Sequence, residues 1–438
     1  MKRMIYDDLI NWKNNVEDNK PLIVLGARQV GKTYIIDEFC RNEFKNYIKV
    51  NLLEDNKIVD LYKEDDSSQN KFMKLKVILD FDIEQEDTIL FIDEIQESEQ
   101  LISNLKYICE NHKKVRIICA GSLLGVKLKR TRFSFPVGKV WMLTMYPMNF
   151  LEFLWAFDKH LLIDEIRRCY KDNIPMDMSI HKKTMDLYRL YQISGGMPES
   201  VFNMVKINGD VIKYNKDILN NIITSYFNDM DKYVENSSEA LKIERTYRSI
   251  PSQLGNLANK FQYSKIEKNA KAKNYETALD WLRASNMVNT AYLVTLPEIP
   301  LKGFVKYDVF KIFLNDVGIL NNLLGIKYED ILLDNVSLYK GVICENYVAN
   351  ELVSNNIDLY YWQSNGKAEI DFLLYNKDGI IPIEVKAGDS VKSKSLYSYM
   401  EKYNAKYAIR ISTRNFGFDS IKRIKSIPLY AVFCIENN

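Results

Sequence analysis

Cysteine is scarce and scattered in this 438-residue chain: the six at positions 40, 109, 119, 169, 344 and 434 form no CxxC pair, and none has a histidine at ligand spacing. That excludes a disulfide framework and a cysteine–histidine zinc site, and it fits a reducing compartment. Glycine and proline are held to 17 and 10 residues and 47% of the chain is hydrophobic, which excludes collagenous, mucin-like and largely disordered chains. No apolar run approaches the roughly 18 residues of a membrane-spanning helix. The opening MKRMIYDDLINWKNN returns to charge too early for a signal-peptide core. A soluble, cytoplasmic protein with no membrane partner is expected. Nor does one charge dominate: 60 Lys plus Arg against 58 Asp plus Glu leave a net +2, so any contact with nucleic acid has to come from local clustering.

What the chain does have is alternation. From Pro21 to about Pro147, four apolar runs (Leu22–Leu25, Tyr47–Leu52, Thr88–Ile92 and Val115–Ala120) are each followed by a turn or helix signal. That rhythm predicts a parallel sheet with helices on both faces. Residues 148–233 read as helical and aromatic-rich, with a break at Ser194–Pro198. Residues 237–325 read as helices followed by a strand at Asn289–Leu296, and the last hundred as strands around a helix. Boundaries are expected near 150, 235 and 335.

The sharpest signal is Gly26-Ala27-Arg28-Gln29-Val30-Gly31-Lys32-Thr33, which fits GxxxxGK[ST] after an apolar strand and before an amphipathic helix. Glycines let the backbone bend so that successive N–H groups and a helix N-terminus point at anionic oxygen. Lys32 is expected on the β- and γ-phosphates of a nucleotide and the Thr33 hydroxyl on Mg²⁺. A second element is Thr88-Ile-Leu-Phe-Ile-Asp93-Glu94, an apolar strand ending in two acids. Asp93 is placed to hold the metal and Glu94 to orient and deprotonate water. A third strand ends in Gly121-Ser122, where a small polar group can sense the γ-phosphate. Arg130, Arg132 and Lys139 are candidates for the positive charge that phosphoryl transfer requires; a solvated basic loop explains each equally well, and none is singled out.

GARQVGKT, LFIDEIQ, AGSLLG, LTMYPMNFLEF and GGMPE together resemble a widespread prokaryotic family with an AAA-type ATPase domain followed by a C-terminal domain of unknown function. The resemblance covers essentially the whole chain. It implies an α/β fold: an AAA-type P-loop NTPase parallel sheet over residues 1–150, then a helical, lid-like region over 151–235. Many relatives have Gly-Arg where this chain has Gly138-Lys139, and lysine lacks the planar fork of arginine. Helix, turn, helix and strand across 241–296 follow the winged-helix order, so residues 236–330 are expected to form a winged helix. Lys265, Lys268, Lys271 and Lys273 would then lie beside its second helix for phosphate contact. Packing between domains is the plainer use of such a fold.

The remaining stretch, 331–438, holds a second chemical pattern. At helical spacing Glu345 is flanked by Gly341, Val342, Val348 and Ala349, which puts its carboxylate in an apolar stripe. Glu351 borders Ser354 and Asn355 and reads as solvated. Glu369–Leu374 and Ile381–Ala387 read as antiparallel strands. Alternation then puts Ile370, Phe372 and Leu374 with Ile383 and Val385 on the core side, and Asp371, Glu384 and Lys386 on the other. Two carboxylates on one face repel unless a cation lies between them.

This order resembles the PD-(D/E)xK, restriction-endonuclease-like nucleases, and implies a C-terminal α/β domain of that kind. Asp371 and Glu384 would hold Mg²⁺, Glu345 would support the metal and Lys386 would activate water. From Lys386 to Lys425 there are ten Lys or Arg against three Asp or Glu, which favours a phosphate partner such as double-stranded DNA. The expected function is an ATP-binding, ATP-hydrolysing protein with ATP and Mg²⁺ as cofactors and a DNA-binding, nuclease-like C-terminus. The alternative is a nucleotide-switched DNA- or protein-binding regulator with a retired nuclease fold. A third reading is a remodeller of a protein partner. Assembly as a homo-oligomer stays open.

Overall fold

Six consecutive buried residues, Thr88–Asp93, mark the centre of the N-terminal sheet, because a strand covered on both faces needs no polar alternation. A computed structural model describes residues 1–15, 20–130, 135–136, 138–232, 234, 236–255, 260–336, 339–364, 368–388 and 393–436. Thr88–Asp93 is β3, and with it run β1 (Leu22–Leu25), β2 (Asn46–Asn51), β4 (Arg116–Ala120) and β5 (Trp141–Thr144). All pair in parallel, in the order β2-β3-β4-β1-β5. The first four lie on the expected apolar runs. β5 does not, because it is an edge strand whose residues are exposed or half-buried.

The chain divides into two compact units. One comprises Lys2–Tyr146 with Ala284–Asn286, the other Pro147–Arg283 with Met287–Asn438. In the N-terminal unit, Ile23, Leu90, Ile92, Ile117 and Cys119 of the sheet pack with Tyr62, Phe72, Leu101 and Leu105 of the helices. Each such side chain contributes roughly 1.5–3 kcal/mol when fully buried.

The C-terminal unit opens with the helix Phe150–Ala156, fixed at its start by a reciprocal cap. Asn149 Oδ1 accepts from the Glu152 amide at 3.0 Å and Glu152 Oε2 from the Asn149 amide at 3.2 Å. Four longer helices follow, His160–Asp172, Met178–Ser194, Pro198–Lys206 and Asp217–Lys232. Ser194–Pro198 breaks the helical run as expected, and its glycines make a close joint. A Cβ on Gly195 would lie 2.1 Å from Asp316 Oδ1, and one on Gly196 1.9 Å from the Met148 carbonyl oxygen. Asp316 Oδ2 also accepts from the Gly196 amide at 2.6 Å.

Helices Ser237–Leu254 and Ala272–Ala284 lead into the antiparallel strands β6 (Val288–Val294) and β7 (Val305–Leu314). β6 also pairs in parallel with β8 (Tyr360–Gln363), which pairs antiparallel with β9 (Glu369–Ile370). A second sheet holds β10 (Phe372–Asn376), β11 (Gly379–Val385), β12 (Ala408–Ser412), β13 (Gly417–Asp419) and β14 (Ile424–Pro428), in the order β10-β11-β12-β14-β13. β10 and β11 are antiparallel, with Phe372 opposite Ile383 and Leu374 opposite Ile381.

One expectation is corrected here. Glu369–Leu374 is not one strand but two, parted at Asp371, with β9 in one sheet and β10 in the other. Ile370 and Leu373 share an apolar cluster with Trp362 and Tyr399, so two-residue alternation does not run through the bend. Among the described residues, no helix is long and apolar enough to cross a membrane.

Candidate nucleotide site and C-terminal carboxylate group

The loop between β1 and the helix Lys32–Glu43 turns through three residues of positive φ, Gly26 at 145°, Gln29 at 65° and Gly31 at 94°. Such left-handed turns gather amide groups around one centre. Gly26 is needed for a second reason: a Cβ there would lie 2.2 Å from the Met145 carbonyl oxygen, just beyond β5. Ala27 and Val30 are buried, while Arg28 and Gln29 are exposed at the tip. The buried Lys32 ammonium donates to the carbonyl oxygens of Gly26 at 2.9 Å and Ala27 at 2.8 Å, so it rests across the loop.

Thr33 Oγ1 donates to Asp93 Oδ2 at 2.9 Å, and the Glu94 amide donates to Asp93 Oδ1 at 3.0 Å. Burial raises the Asp93 carboxyl above the usual range, with the Thr33 bond opposing. Hydroxyl and carboxylate in contact form the hard oxygen pair that Mg²⁺ takes, so these residues fit that ion. Glu94 sits at φ 54° and its carboxylate accepts from the Gln96 side-chain amide. The strand order does the rest. β4 lies between β1 and β3, so the half-buried Ser122 at its end falls between the glycine loop and the acid pair.

Sequence reasoning missed Arg3. Its buried guanidinium donates to the carbonyl oxygens of Val30 at 2.8 Å and Tyr146 at 2.7 Å, tying the loop to the chain beyond β5. A lone arginine before the first helix carries no pattern that announces this. Lys139 pairs with Glu110 at 2.7 Å. Arg132 and the side chain of Arg130 lie outside the described residues.

In the C-terminal unit one of the expected residues, Glu345, meets a lysine that was not expected. Glu345, on the helix Lys340–Ser354, is half-buried and 2.7 Å from Lys311 Nζ of β7; Glu369 Oε1 lies 2.6 Å from the same ammonium. The Lys311 side chain is only 4% exposed. Burial alone would lower its ammonium, but Glu345, Glu369 and Asp371 outweigh that and hold it raised and charged. Asp371, at the bend between β9 and β10, accepts from the Val385 amide at 2.7 Å. Its carboxyl is pushed well up by burial and by the charge of Glu345, against the pull of Lys311.

Glu384 is buried on β11 with Oε1 2.8 Å from Lys386 Nζ, and among the described residues its Oε2 has no hydrogen-bond partner. Among the described residues, no group of three or more His, Cys, Asp or Glu is arranged to hold a metal ion. As built, the group does not fit a divalent cation, because an ammonium already touches two of its carboxylates.

Glu351 needs correction. It is fully buried rather than solvated, accepts from the Phe150 amide at 2.8 Å, and is pushed up to about 8 by burial with that amide opposing. Its polar neighbours are tied inward too: Ser354 Oγ accepts from the Asn149 side chain at 3.2 Å, and Asn355 donates to the Ile435 carbonyl at 2.8 Å. The basic stretch is likewise mixed. Lys394, Lys402, Lys406, Arg414, Lys422 and Arg423 are exposed. Arg410 is buried and bonded to Ser393, and Lys425 donates to the Tyr170 carbonyl and is pushed down to about 8 by burial. Lys392 lies outside the described residues.

Residues 18–154 match a family described as "AAA domain". Residues 185–330 and 340–430 match two families described as "Domain of unknown function", DUF8612 and DUF4143. Among solved structures, a Walker-type ATPase of Pyrococcus abyssi is 14% identical over 74% of this chain and 95% of its own, with a TM-score of 0.45. The ORC2 protein of Aeropyrum pernix is 10% identical over 77% and 95%, with a TM-score of 0.37. Cdc6p from Pyrobaculum aerophilum is 12% identical over 77% and 96%, at 0.28. No curated protein matches. Family match, parallel sheet and glycine loop together give the N-terminal unit the fold of an AAA-type P-loop NTPase.

Proposed function

We propose that this chain binds and hydrolyses ATP with Mg²⁺, and that its C-terminal unit binds double-stranded DNA. The ATPase reading is carried by the 2.9 Å contact of Thr33 Oγ1 with Asp93 Oδ2 beside the glycine loop. Lys32 would exchange the carbonyls of Gly26 and Ala27 for phosphate oxygen, while Ala27 to Thr33 supply amides. Thr33 and Asp93 would hold Mg²⁺, which neutralises charge on the phosphates when bound. Glu94 would take the proton of the attacking water, and Ser122 would hydrogen-bond that water or the γ-phosphate. Lys32→Ala is expected to lower phosphate release by about 100-fold or more, the scale of losing one preorganised charge contact. Wild-type turnover in that variant would overturn the assignment.

For the C-terminal unit we propose the regions read from the sequence, helical over 151–235, winged-helix over 236–330 and nuclease-like over 331–438, with β6 and β7 sharing a sheet with β8 and β9. The helix, helix and hairpin of Ser237–Leu254, Ala272–Ala284, β6 and β7 support the winged helix. Exposed Lys265, Lys268, Lys271 and Lys273 and the six exposed basic residues after Lys386 support a phosphate partner.

The Lys311 contacts favour a regulator that binds DNA without cutting it. The bare, buried Oε2 of Glu384 beside Lys386 favours the second reading, a Mg²⁺-dependent nuclease. Anisotropy with a labelled duplex across a salt series tests the first: affinity should fall steeply with salt, since phosphate contacts release counterions. No binding at low salt would leave a protein partner. Nicking of plasmid that is lost in Asp371→Asn would install the nuclease.

A further inference from the structure

We infer that Lys311 is the built-in cation of the C-terminal carboxylate group: its tethered ammonium stands where a divalent metal would otherwise stand, and keeps the group metal-free. The inference rests on the nuclease-like reading for Glu345 and Asp371, though not on any cutting of DNA, while Glu369 enters through its contact with Lys311. Lys311 Nζ is 2.7 Å from Glu345 Oε1 and 2.6 Å from Glu369 Oε1, so one cation bridges two acids from different elements, the helix Lys340–Ser354 and β9. An ammonium that is 4% exposed is held in place by its partners rather than by water. The ring of Tyr361, its centroid 5.1 Å from Nζ, adds an aromatic face to the same cage.

Charge explains why a metal is kept out. Asp371 feels the charges of Glu345 and Glu369 as well as that of Lys311, so without the lysine three neighbouring acids would lack their shared positive charge. Like charges so placed demand a counter-ion. With the lysine seated, an incoming dication meets a fixed positive charge and two carboxylate oxygens already engaged. The lysine comes from β7, and the acids come from residues 345–371. The lysine thus lies outside the 340–430 stretch that supplies the acids. A pocket lined by Gln253, Lys260, Phe261, Lys311 and Glu345 borders the group.

The test is Mn²⁺ binding to the full-length, nucleotide-free protein, counted by electron paramagnetic resonance, in wild type and Lys311→Met. The glycine-loop site is the same in both, so the difference reads the C-terminal group alone. Lys311→Met should gain one Mn²⁺ per chain at concentrations where wild type gains none, and Asp371→Asn on top of it should remove that ion. Lys311→Arg keeps the charge and should stay metal-free. If Lys311→Met fails to fold by circular dichroism, Lys311→Met/Glu369→Gln removes one charge of each sign and should show the same gain.

Two outcomes overturn the inference: a folded variant that binds no more Mn²⁺ than wild type, or a wild-type Mn²⁺ site that Asp371→Asn abolishes. The second of these would strengthen the nuclease reading while removing the role of Lys311. Failure of DNA binding shows separately, in wild-type duplex anisotropy, whatever the Mn²⁺ count.

Discussion

Arg3 ties the glycine loop to the chain beyond β5. Its two donors satisfy the carbonyls of Val30 and Tyr146, and a buried carbonyl left without a partner costs about 1–3 kcal/mol. Arg3→Ala should therefore loosen the loop, raising KM for ATP by about tenfold while kcat stays within about threefold, the signature of lost binding rather than lost chemistry. A kcat that falls as far as in Lys32→Ala would give Arg3 a direct role instead. Glu351 carries a different consequence. Its carboxyl is pushed up to about 8 from an ordinary 4.5, so the folded state keeps a proton that the unfolded chain releases. The stability it permits is whole below the unfolded value and is lost as pH rises towards 8, by at most about 1.4 kcal/mol per pH unit. Glu351→Gln keeps an acceptor for the Phe150 amide and removes the charge. The variant should out-melt wild type at pH 8.5 and approach it at pH 5.5; an equal difference at both would refute the buried titration.

The Gly195–Gly196 joint shows what a short motif can conceal. In sequence it reads as a helix break. In the fold it is the point where the Met148 carbonyl and the Asp316 carboxylate come closer than any Cβ allows. Gly196→Ala should cost more than the typical ~1 kcal/mol of a point change, because backbone cannot step aside. Gly341→Ala, where a Cβ meets nothing within 4 Å, should be neutral or mildly stabilising as a helical substitution. Thermal melts of the two variants check the contrast, and similar losses in both would show that the joint has room to relax.

This is also where legibility ran out. The glycine loop, Asp93 and Glu94 were legible because each signal is a contiguous run whose meaning is set by its own strand and turn. β5 was not, because an edge strand lacks a buried run. Asp371 reads as part of a continuous strand because alternation cannot show that one segment serves two sheets. Lys311 lies 34 residues from Glu345, and no local pattern pairs them. Glu351 reads as solvated because helical neighbours describe one face of one helix, while its burial is set by the N-terminus of another.

At the scale of the molecule, two compact units on one chain mean that stability is not a single number. A ligand stabilises only what it binds, by RT ln(1 + [L]/Kd), or about 2.7 kcal/mol at a hundred times Kd. A non-hydrolysable ATP analogue with Mg²⁺ should therefore raise the calorimetric transition of the N-terminal unit, and Lys32→Ala should abolish the rise. Duplex DNA should shift the other transition instead, and a shift of both transitions by either ligand alone would show that the units unfold together. Absence of any shift with millimolar analogue would remove the nucleotide site itself. The carboxylate group offers an internal control, because its cation is a side chain. If Lys311 fills that place, millimolar Mg²⁺ without nucleotide should leave the C-terminal transition where it was, whereas in Lys311→Met the same salt should raise it.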